Sequence, residues 1–292
     1  MYDSHGRLAS VPGSGEGGYF DELDVSEWGL VPVAQLDTYK GLIFATFDPD
    51  APPLLEYLGD MAWYLDIVLD RREGGTELIG GTHKWLLDSN WKVGAENFVG
   101  DMYHGFPSHG SAMRVGFGGS STRVLDQVGY QISVGNGHGL GAWEVPEGED
   151  PWERQPAGFM EYMKETGPEA EQRLGYARTH LISPVHGTVF PNLSLLFGTR
   201  TLRLWLPRGP QKMEIWEWTI VDKEASDEVK EATRIQNMQR FGPSGTWEQD
   251  DMDNWLQLTA AGRGAVARRV RANYQMGMGH ERSNPELKGR LG

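Results

Sequence analysis

Two histidines, His104 and His109, stand five residues apart and could bind one metal ion together. On a continuous α-helix this spacing turns the second side chain about 140° away from the first. Proline disfavours helical geometry at the residue before it, so Pro107 predicts a break at Phe106, and Gly105 makes that break easier. We therefore expect His104 to end one helix and His109 to lie on the next turn, with the imidazoles converging. The spacing alone fits equally well two unrelated histidines, one buried and one solvated.

Two polar residues precede His104 at helical spacing. Asn97, Asp101 and His104 follow the i, i+4, i+7 pattern, which predicts one shared helix face. Asp101 could accept a hydrogen bond from the histidine nitrogen that does not bind the metal, and so fix the orientation of the ring. Asn97 needs a polar partner on the same face.

A third ligand must come from elsewhere, and the acidic cluster that ends at Asp251 is the strongest candidate. On a helix Trp247, Asp251 and Trp255 share a face, so an unpaired Asp251 carboxylate would be costly beside the two indoles. A bound metal would offset that cost. The alternative is an acidic first turn that complements the helix dipole, and this would explain Glu248 and Asp250 well.

Two histidines and one carboxylate leave open positions on a metal, the arrangement of Fe(II) oxygenases that bind O₂ beside a substrate. The same ligands also occur in some zinc hydrolases, in which Asp101 would be a candidate general base. The residues alone leave both chemistries open.

The composition excludes several classes of protein. The sequence of 292 residues has no cysteine, which rules out disulfides, thiolate catalysis and any iron–sulfur cluster held by cysteines of these residues. The net charge of −14 argues against a nucleic-acid partner. No apolar run is long enough for a membrane span and the first residues do not resemble a signal peptide, so we expect a cytoplasmic protein.

The candidate site residues must be positioned by helices and strands, and the order of the predicted elements indicates an α+β fold. In this fold an antiparallel sheet has long helices packed on it. In residues 213–221, Trp216 and Trp218 alternate with Ile215 and Glu217, as in a strand with one buried face. Helices are predicted at residues 54–69 with Asp50 as N-cap, 91–104, 152–178, 227–241 with Ser226 as N-cap, and 246–271. Strands are predicted at residues 76–85, 122–134, 180–190, 193–205 and 213–221.

Several separated segments resemble the large (α) subunits of Rieske-type aromatic-ring-hydroxylating dioxygenases. The resemblance covers nearly the whole chain and is most specific around the two histidines and the acidic cluster. The matching segments are Asn90-Trp-Lys, Glu96-Asn-Phe, Gly100-Asp-Met-Tyr-His104, His109, Phe190-Pro-Asn192, Trp205-Leu-Pro-Arg-Gly-Pro210 and Phe241-Gly-Pro-Ser-Gly-Thr-Trp-Glu-Gln-Asp-Asp251.

The resemblance implies a role for each matching residue. His104, His109 and Asp251 would be the ligands of a mononuclear Fe(II), with Asp251 favoured because the family's ligand is the second of the paired acids. Asp101 would carry electrons between His104 and a cluster-bound histidine of a neighbouring subunit. The substrate pocket would be lined by Asn97, Phe98, Met102, Phe190, Phe241 and Trp247, although ordinary core packing is the alternative for the apolar members.

The resemblance also implies a domain plan, a reaction and partners. Residues 1–50 would be the remnant of a Rieske β domain and residues 51–292 a helix-grip catalytic domain. The reaction would add both atoms of O₂ to an arene, giving a cis-dihydrodiol, with electrons from NADH passed on by a reductase and a ferredoxin. A homotrimer, or an α3β3 assembly with a small β subunit, would follow from electron transfer between subunits.

Two departures from the family's pattern stand at the ends of the chain. The Cys-x-His and Cys-x-x-His pairs that hold the family's [2Fe-2S] cluster should lie just upstream of Tyr2, and a final helix is expected after Gly292. We therefore expect either a fragment that lacks its cluster or a cluster-less relative. A Rieske-type monooxygenase and a helix-grip protein that only binds apolar ligands remain alternatives.

Overall fold

The computed structural model describes residues 1–115, 129–147, 157–273, 275 and 277–292, which form two compact units, Met1–Tyr57 and Leu58–Gly292. The first unit contains an antiparallel hairpin of β1 (Gln35–Tyr39) and β2 (Leu42–Thr46). Its two turn residues, Lys40 and Gly41, both have positive φ, as a tight two-residue hairpin requires. The assignment of this part of the chain to a Rieske domain, and the boundary at residue 50, stay predictions.

An eight-stranded antiparallel sheet forms the frame of the second unit, in the order β10-β4-β5-β6-β7-β8-β9-β3. The strands are β3 (Thr76–Leu87), β4 (Gly129–Gly135), β5 (His138–Glu144), β6 (Ile182–Val189), β7 (Leu193–Leu196), β8 (Thr201–Pro207), β9 (Met213–Asp222) and β10 (Arg290–Leu291). The predicted α+β class with a large antiparallel sheet is confirmed.

The described helices are α1 (Leu54–Leu58), α2 (Met61–Leu69), α3 (Trp91–Gly100), α4 (Gly105–Arg114), α5 (Ala157–Glu165), α6 (Gly167–Leu174), α7 (Asp227–Arg240) and α8 (Thr246–Ala261). In the second unit, α3 lies across β5 to β8, α7 packs on β9 and β3, and α8 packs on α3 and α4. None of the helices described here has the length and apolar character that a bilayer crossing demands.

The core forms where α3 and α8 meet the sheet. The ring centroid of Trp205 on β8 lies 5.3 Å from that of Phe98 on α3 and 5.3 Å from that of Trp255 on α8, both in edge-to-face contact. α3 approaches the sheet closely because Gly94 has no side chain, and a Cβ there would lie 2.8 Å from the Trp205 ring. Each buried large apolar side chain contributes roughly 1.5–3 kcal/mol to folding.

The strand pattern of β9 places its buried face toward the helices. Met213, Ile215 and Glu217 are buried, whereas Trp216 and Trp218 are only half-buried. The predicted alternation is therefore confirmed, and it brings one carboxylate, that of Glu217, into the core.

Several predicted element ends are wrong, mostly where glycine or proline interrupts the backbone. Asp50 does not cap a helix, because α1 begins only at Leu54, after Pro52-Pro53. The helix predicted to reach residue 271 ends at Ala261, just before Gly262. Residues 193–205 form two strands rather than one, separated at Arg200, which has positive φ.

Other predicted ends of helices and strands agree with the structure or lie outside the described residues. Ser226 caps α7 as predicted, with its hydroxyl accepting a hydrogen bond from the Val229 amide at 3.3 Å. The predicted helix at residues 152–178 is described from Ala157 and is divided at Thr166, the N-cap of α6. The strand predicted at residues 122–134 is described only from Gly129, and the parts of these two predictions within residues 116–128 and 148–156 lie outside the described residues.

Candidate metal centre

The turn between α3 and α4 carries the two histidines. Asn90 caps the start of α3, its side chain accepting from the Lys92 amide at 3.0 Å, and the helix ends at Gly100 rather than at His104 as predicted. His104 is the N-cap residue of α4 and its carbonyl already accepts a helical hydrogen bond from the Ser108 amide at 2.9 Å. The break predicted at Phe106 is therefore wrong, because Pro107 lies in the first helical turn, where its missing N–H leaves no hydrogen bond unmade.

Both imidazoles nevertheless turn toward one carboxylate. Nε2 of His104 lies 3.4 Å, and Nε2 of His109 3.3 Å, from the same Oδ1 atom of Asp251. Asp251 is held there by α8, which packs on α4. One potential ligand atom from each of the three residues lies within 4.8 Å of the other two. An imidazole carries Nε2 well away from its own Cα, so the two rings can lean together although no break separates them.

The environment of Asp251 fits a cation between these side chains. Asp251 is buried, and its Oδ1 makes no hydrogen bond to the part of the chain that the structure describes. Burial would raise the pKa of this carboxyl, but the two imidazoles outweigh burial and hold the pKa far below its usual range. A buried carboxylate with no donor is costly. A divalent cation held by Oδ1 and both Nε2 atoms would remove that cost.

The Nδ1 atom of each histidine also has a partner. Nδ1 of His104 hydrogen-bonds the main-chain carbonyl oxygen of Asp101, and the Asp101 Oδ2 atom is 3.5 Å from the same nitrogen. Nδ1 of His109 lies 3.2 Å from Asp250 Oδ2. Such partners fix the orientation of a metal-binding ring. Asp101 thus accepts the predicted hydrogen bond, mainly through its backbone oxygen.

Protonation of His104 follows from the same contacts. Burial disfavours the charged ring, but the contact with Asp101 and the negative charges of Asp251 and Asp101 outweigh this and raise the pKa of His104 to about 10. Without a metal His104 is therefore protonated at neutral pH. A metal ion and this proton compete for the same nitrogen lone pair.

Asn97 completes the polar side of the centre. Its Nδ2 atom donates to Asp101 Oδ2 at 3.0 Å and lies 3.2 Å from His104 Nδ1. Asn97, Asp101 and His104 thus lie together as their spacing predicted, even though α3 ends before Asp101. The amide of His104 also donates to Asp101 Oδ1 at 3.2 Å.

The acidic residues of α8 have partners besides the helix dipole. Glu248 lies in the first turn of α8, as the dipole alternative predicted, but it is also fully buried and its Oε2 lies 2.7 Å from Arg203 Nη2. Asp250 is half-buried against His109. Because Arg203 is distant in sequence, the helical pattern alone gave no sign of the ion pair.

The predicted apolar pocket residues lie in different places. Trp247 lies beside the centre, its ring centroid 5.7 Å from that of His109 and 5.5 Å from that of Phe241. Phe98 and Phe241 are buried in the core described above. Met102 packs against Gly141 on β5, which also adjoins His186, and Phe190, half-exposed, packs against Gly137 in the turn between β4 and β5. Their roles toward a substrate stay predictions.

A third histidine of the centre, His186, was missed. It is buried on β6, with its ring centroid 6.1 Å from that of His104 and Nδ1 3.0 Å from the carbonyl oxygen of Phe98. Burial, followed by the charge of His104, lowers the pKa of His186 to about 4. The ring is neutral at pH 7, so Nδ1 donates to the carbonyl and Nε2 is an acceptor. The strand alternation could have marked His186 as an inward-facing polar residue.

The comparison with known families adds to this geometry. The model for the ring hydroxylating alpha subunit (catalytic domain) matches residues 54–277, well over half of the chain. The chain belongs to this family.

Relatives of this chain include enzymes named for different arenes. The biphenyl 2,3-dioxygenase subunit alpha of Rhodococcus jostii (strain RHA1) is 39% identical over 308 residues, covering 99% of this chain and 64% of that protein. The benzene 1,2-dioxygenase subunit alpha of Pseudomonas putida is 39% identical over 302 residues, covering 99% and 66%. The chain thus spans just under two thirds of the length of these relatives.

Solved structures of the family share the fold of this chain. A naphthalene 1,2-dioxygenase with indole bound in its active site superposes with a TM-score of 0.84 at 30% identity, covering 100% of this chain and 66% of that one. The large antiparallel sheet with its covering helices is therefore the catalytic-domain fold of these dioxygenases.

Proposed function

We propose that this chain is the catalytic part of a dioxygenase α subunit that adds both atoms of O₂ to an aromatic ring, giving a cis-dihydrodiol. The observation that carries the proposal is the buried Asp251 Oδ1, which faces two histidine Nε2 atoms and makes no hydrogen bond within the described chain. Two histidines and one carboxylate suit Fe(II) and leave coordination positions open. The names of the relatives point to arenes such as biphenyl and benzene as the class of substrate.

In this proposal His104, His109 and Asp251 hold a mononuclear Fe(II), which when bound supplies the activation of O₂. Asp101 and Asp250 hold the two rings through their Nδ1 atoms. Asp101 also keeps part of its carboxylate exposed, with a side-chain exposure of 25%. It would link His104 to a cluster-bound histidine of a neighbouring subunit and so be the entry point for electrons.

The substrate would lie on the aromatic side of the centre. Trp247, beside His109, gives a flat apolar wall that suits an arene, and Phe241 supports it from behind. Phe98, Met102 and Phe190 are the further predicted pocket residues, and Asn97 is the polar one. These side chains would orient the ring and keep water away from the reacting atoms.

The reaction needs partners as well as a substrate. Each turnover joins one arene, one O₂, two electrons and two protons, so an electron donor is required. NADH would supply the electrons through a reductase and a ferredoxin to a [2Fe-2S] cluster that the cysteine-free chain does not itself ligate. A homotrimer or an α3β3 assembly would bring that cluster of one subunit near Asp101 of the next.

The test begins with binding, which needs no electron donor. Protein freed of metal and titrated anaerobically with Fe(II) should bind one ion per chain, and naphthalene or biphenyl should change the paramagnetic resonance signal of the Fe(II)–nitric oxide complex. His104→Ala should abolish both effects. His180→Ala is the matched control, because His180 is exposed, pairs with Glu171 at 3.0 Å and stacks on the ring of Tyr176.

Turnover then separates this proposal from its alternatives. With NADH, reductase and ferredoxin under ¹⁸O₂, a dioxygenase incorporates two labelled atoms into each product molecule and a monooxygenase incorporates one. A ligand-binding protein would retain the arene without any oxygenation, even with the cluster domain supplied. Activity with Zn(II) that is independent of O₂ would establish a hydrolase instead.

A further inference from the structure

A fully buried arginine contacts α8, which carries Asp251, and α3, which precedes the turn with His104. Arg203 on β8 has no solvent exposure, and its Nη2 atom lies 2.5 Å from Glu217 Oε2, 2.7 Å from Glu248 Oε2 and 2.8 Å from the main-chain oxygen of Phe241. Glu217 and Glu248 are equally buried. The cluster therefore holds one guanidinium and two carboxyl groups entirely out of water, where the desolvation cost of each charge is high. Burial raises the pKa of Glu248, and the positive charge of Arg203 opposes this rise.

The same guanidinium is enclosed by aromatic rings. Its Cζ atom lies 5.3 Å from the ring centroid of Phe98, 5.7 Å from that of Phe241 and 5.8 Å from that of Trp85. Phe98 belongs to α3, the helix that leads into Asp101 and His104. Arg203 thus contacts α3 through a ring and α8 through a carboxylate, while its own backbone is fixed in the sheet.

The first turn of α8 depends on this contact. Its N-cap residue is Gly245, which offers no side chain to accept hydrogen bonds from the free amides of the turn. Glu248 stands at the third position of the helix, from which a glutamate commonly reaches back to the cap. Here the carboxyl group of Glu248 faces Arg203 instead. The ion pair therefore anchors the first turn of α8, a role that an N-cap side chain usually has.

Asp251 follows Glu248 by three residues and therefore lies on nearly the same helix face. A small rotation of the first turn would move the Asp251 Oδ1 atom away from the two Nε2 atoms that it faces at 3.3 and 3.4 Å. We infer that Arg203 and Glu248 are positioning residues, whose buried ion pair fixes the rotation of α8 and thereby presents Asp251 to the metal. This inference rests on the proposed metal site.

Glu248→Gln tests the inference. Glutamine keeps the length of Glu248, so the core stays filled, but it cannot carry the negative charge that faces Arg203 at 2.7 Å. The affinity for Co(II), a probe stable to air, should fall about tenfold, and Glu248→Ala should lower it about a hundredfold, the range found for residues that support metal ligands. The visible absorption bands of bound Co(II) should also change shape, since the ligand geometry is altered.

Two controls separate position from charge. Glu217→Gln removes an equal charge from the same cluster but from β9, so it should lower the affinity for Co(II) less than Glu248→Gln and leave the bands unchanged. Glu214→Gln lies on the same strand in a partly exposed pair with Arg208 and should change neither. Melting temperatures of the metal-free variants show that each is folded.

The outcomes distinguish this inference from the proposed function. If the unaltered protein binds no Co(II), the metal site itself is wrong. If it binds Co(II) and Glu248→Gln binds with an affinity within twofold and with unchanged bands, the positioning role is overturned while the site stands. Should Glu248→Ala fail to fold, Glu248→Gln still decides.

Discussion

Two buried aspartates of this protein are surrounded in opposite ways. Asp222 at the end of β9 accepts a hydrogen bond at Oδ1 from Arg200 at 2.8 Å, and at Oδ2 from Arg71 at 3.2 Å and from Tyr162 at 2.9 Å. Asp251 is equally buried, but its Oδ1 faces two histidines without a hydrogen bond among the described residues.

The difference distinguishes the structural carboxylate of Asp222 from the carboxylate of Asp251, which is proposed to bind a metal. The donors of Asp222 are two permanent cations and a hydroxyl, so its charge is balanced within the fold. The neighbours of Asp251 are bases that can exchange a proton for a metal ion. A buried acid therefore indicates a binding site when its partners can themselves give up a proton, and a structural role when they cannot.

Asp251→Ala should give the largest functional effect. It removes the carboxylate that both Nε2 atoms face, so the affinity for Fe(II) or Co(II) should fall by roughly a hundredfold or more. The unfolding free energy of the metal-free protein should fall by less than the about 3–5 kcal/mol that breaking a buried ion pair costs, since His104 can lose its proton and leave no unpaired charge. Calorimetric titration measures the metal affinity, and urea unfolding measures the unfolding free energy. Normal metal binding by Asp251→Ala would show that Asp251 is not a ligand.

Asp222→Ala should lower the stability of the fold strongly and leave metal binding unchanged. It leaves Arg71 and Arg200 buried without their common carboxylate, and breaking such a buried pair costs about 3–5 kcal/mol. Urea unfolding should detect this loss, whereas the folded fraction should bind Co(II) as before. Asp70→Ala is a suitable control, because Asp70 pairs with Arg173 near the surface at 2.6 Å and exposed pairs contribute about 0–1 kcal/mol. Equal losses from both variants would argue against the contrast.

The pH dependence of metal binding should follow the proton on His104. Its pKa is raised to about 10, so below that pH the metal must displace one proton and the affinity for Co(II) should rise about tenfold per pH unit. In the metal-free protein the stability of the fold should fall, not rise, with increasing pH. The proton stabilises the fold fully below pH 6.5, and this contribution is lost as the pH rises toward 10. Co(II) titrations and urea unfolding at several pH values measure both slopes; a flat binding profile would contradict the assignment.

Asp250→Asn should have the smallest effect of the four. The amide keeps an oxygen near His109 Nδ1, 3.2 Å away in the native protein, but it loses the charge that orients the ring. Because Asp250 is partly exposed, we expect only about a tenfold loss of Co(II) affinity. Asp253→Asn, one turn away on the exposed side of α8, should have none. A hundredfold loss from Asp250→Asn would show that Asp250 itself contributes to binding.

Much of the fold could be predicted because the strand and helix signals were local. The alternation around Trp216 and the Ser226 cap each depend on a few adjacent residues, and both are confirmed. The path of the chain around His104 was predicted incorrectly, since Pro107 was read as a helix breaker. Its position in the first turn of α4 depends on where α3 ends, and a short motif does not determine that.

The parts of the candidate site that were missed depend on long-range contacts. The ion pair of Glu248 was not predicted because its partner, Arg203, lies on a strand far away in the sequence. His186 carried no spacing that related it to His104, and only the sheet brings the two rings together. Sequence patterns indicated which side chains could bind a metal, whereas the tertiary fold determines which of them are held in place.

The turn that carries His104 and His109 is local, but Asp251 arrives from a helix about 140 residues further along the chain. A cation held by all three would therefore act as a crosslink that closes a very long loop. Hydrogen exchange in α8 should then slow when the metal binds, while exchange in the distant α5 and α6 should hardly change. The metal would thus stabilise the packing of α8 in addition to taking part in the reaction.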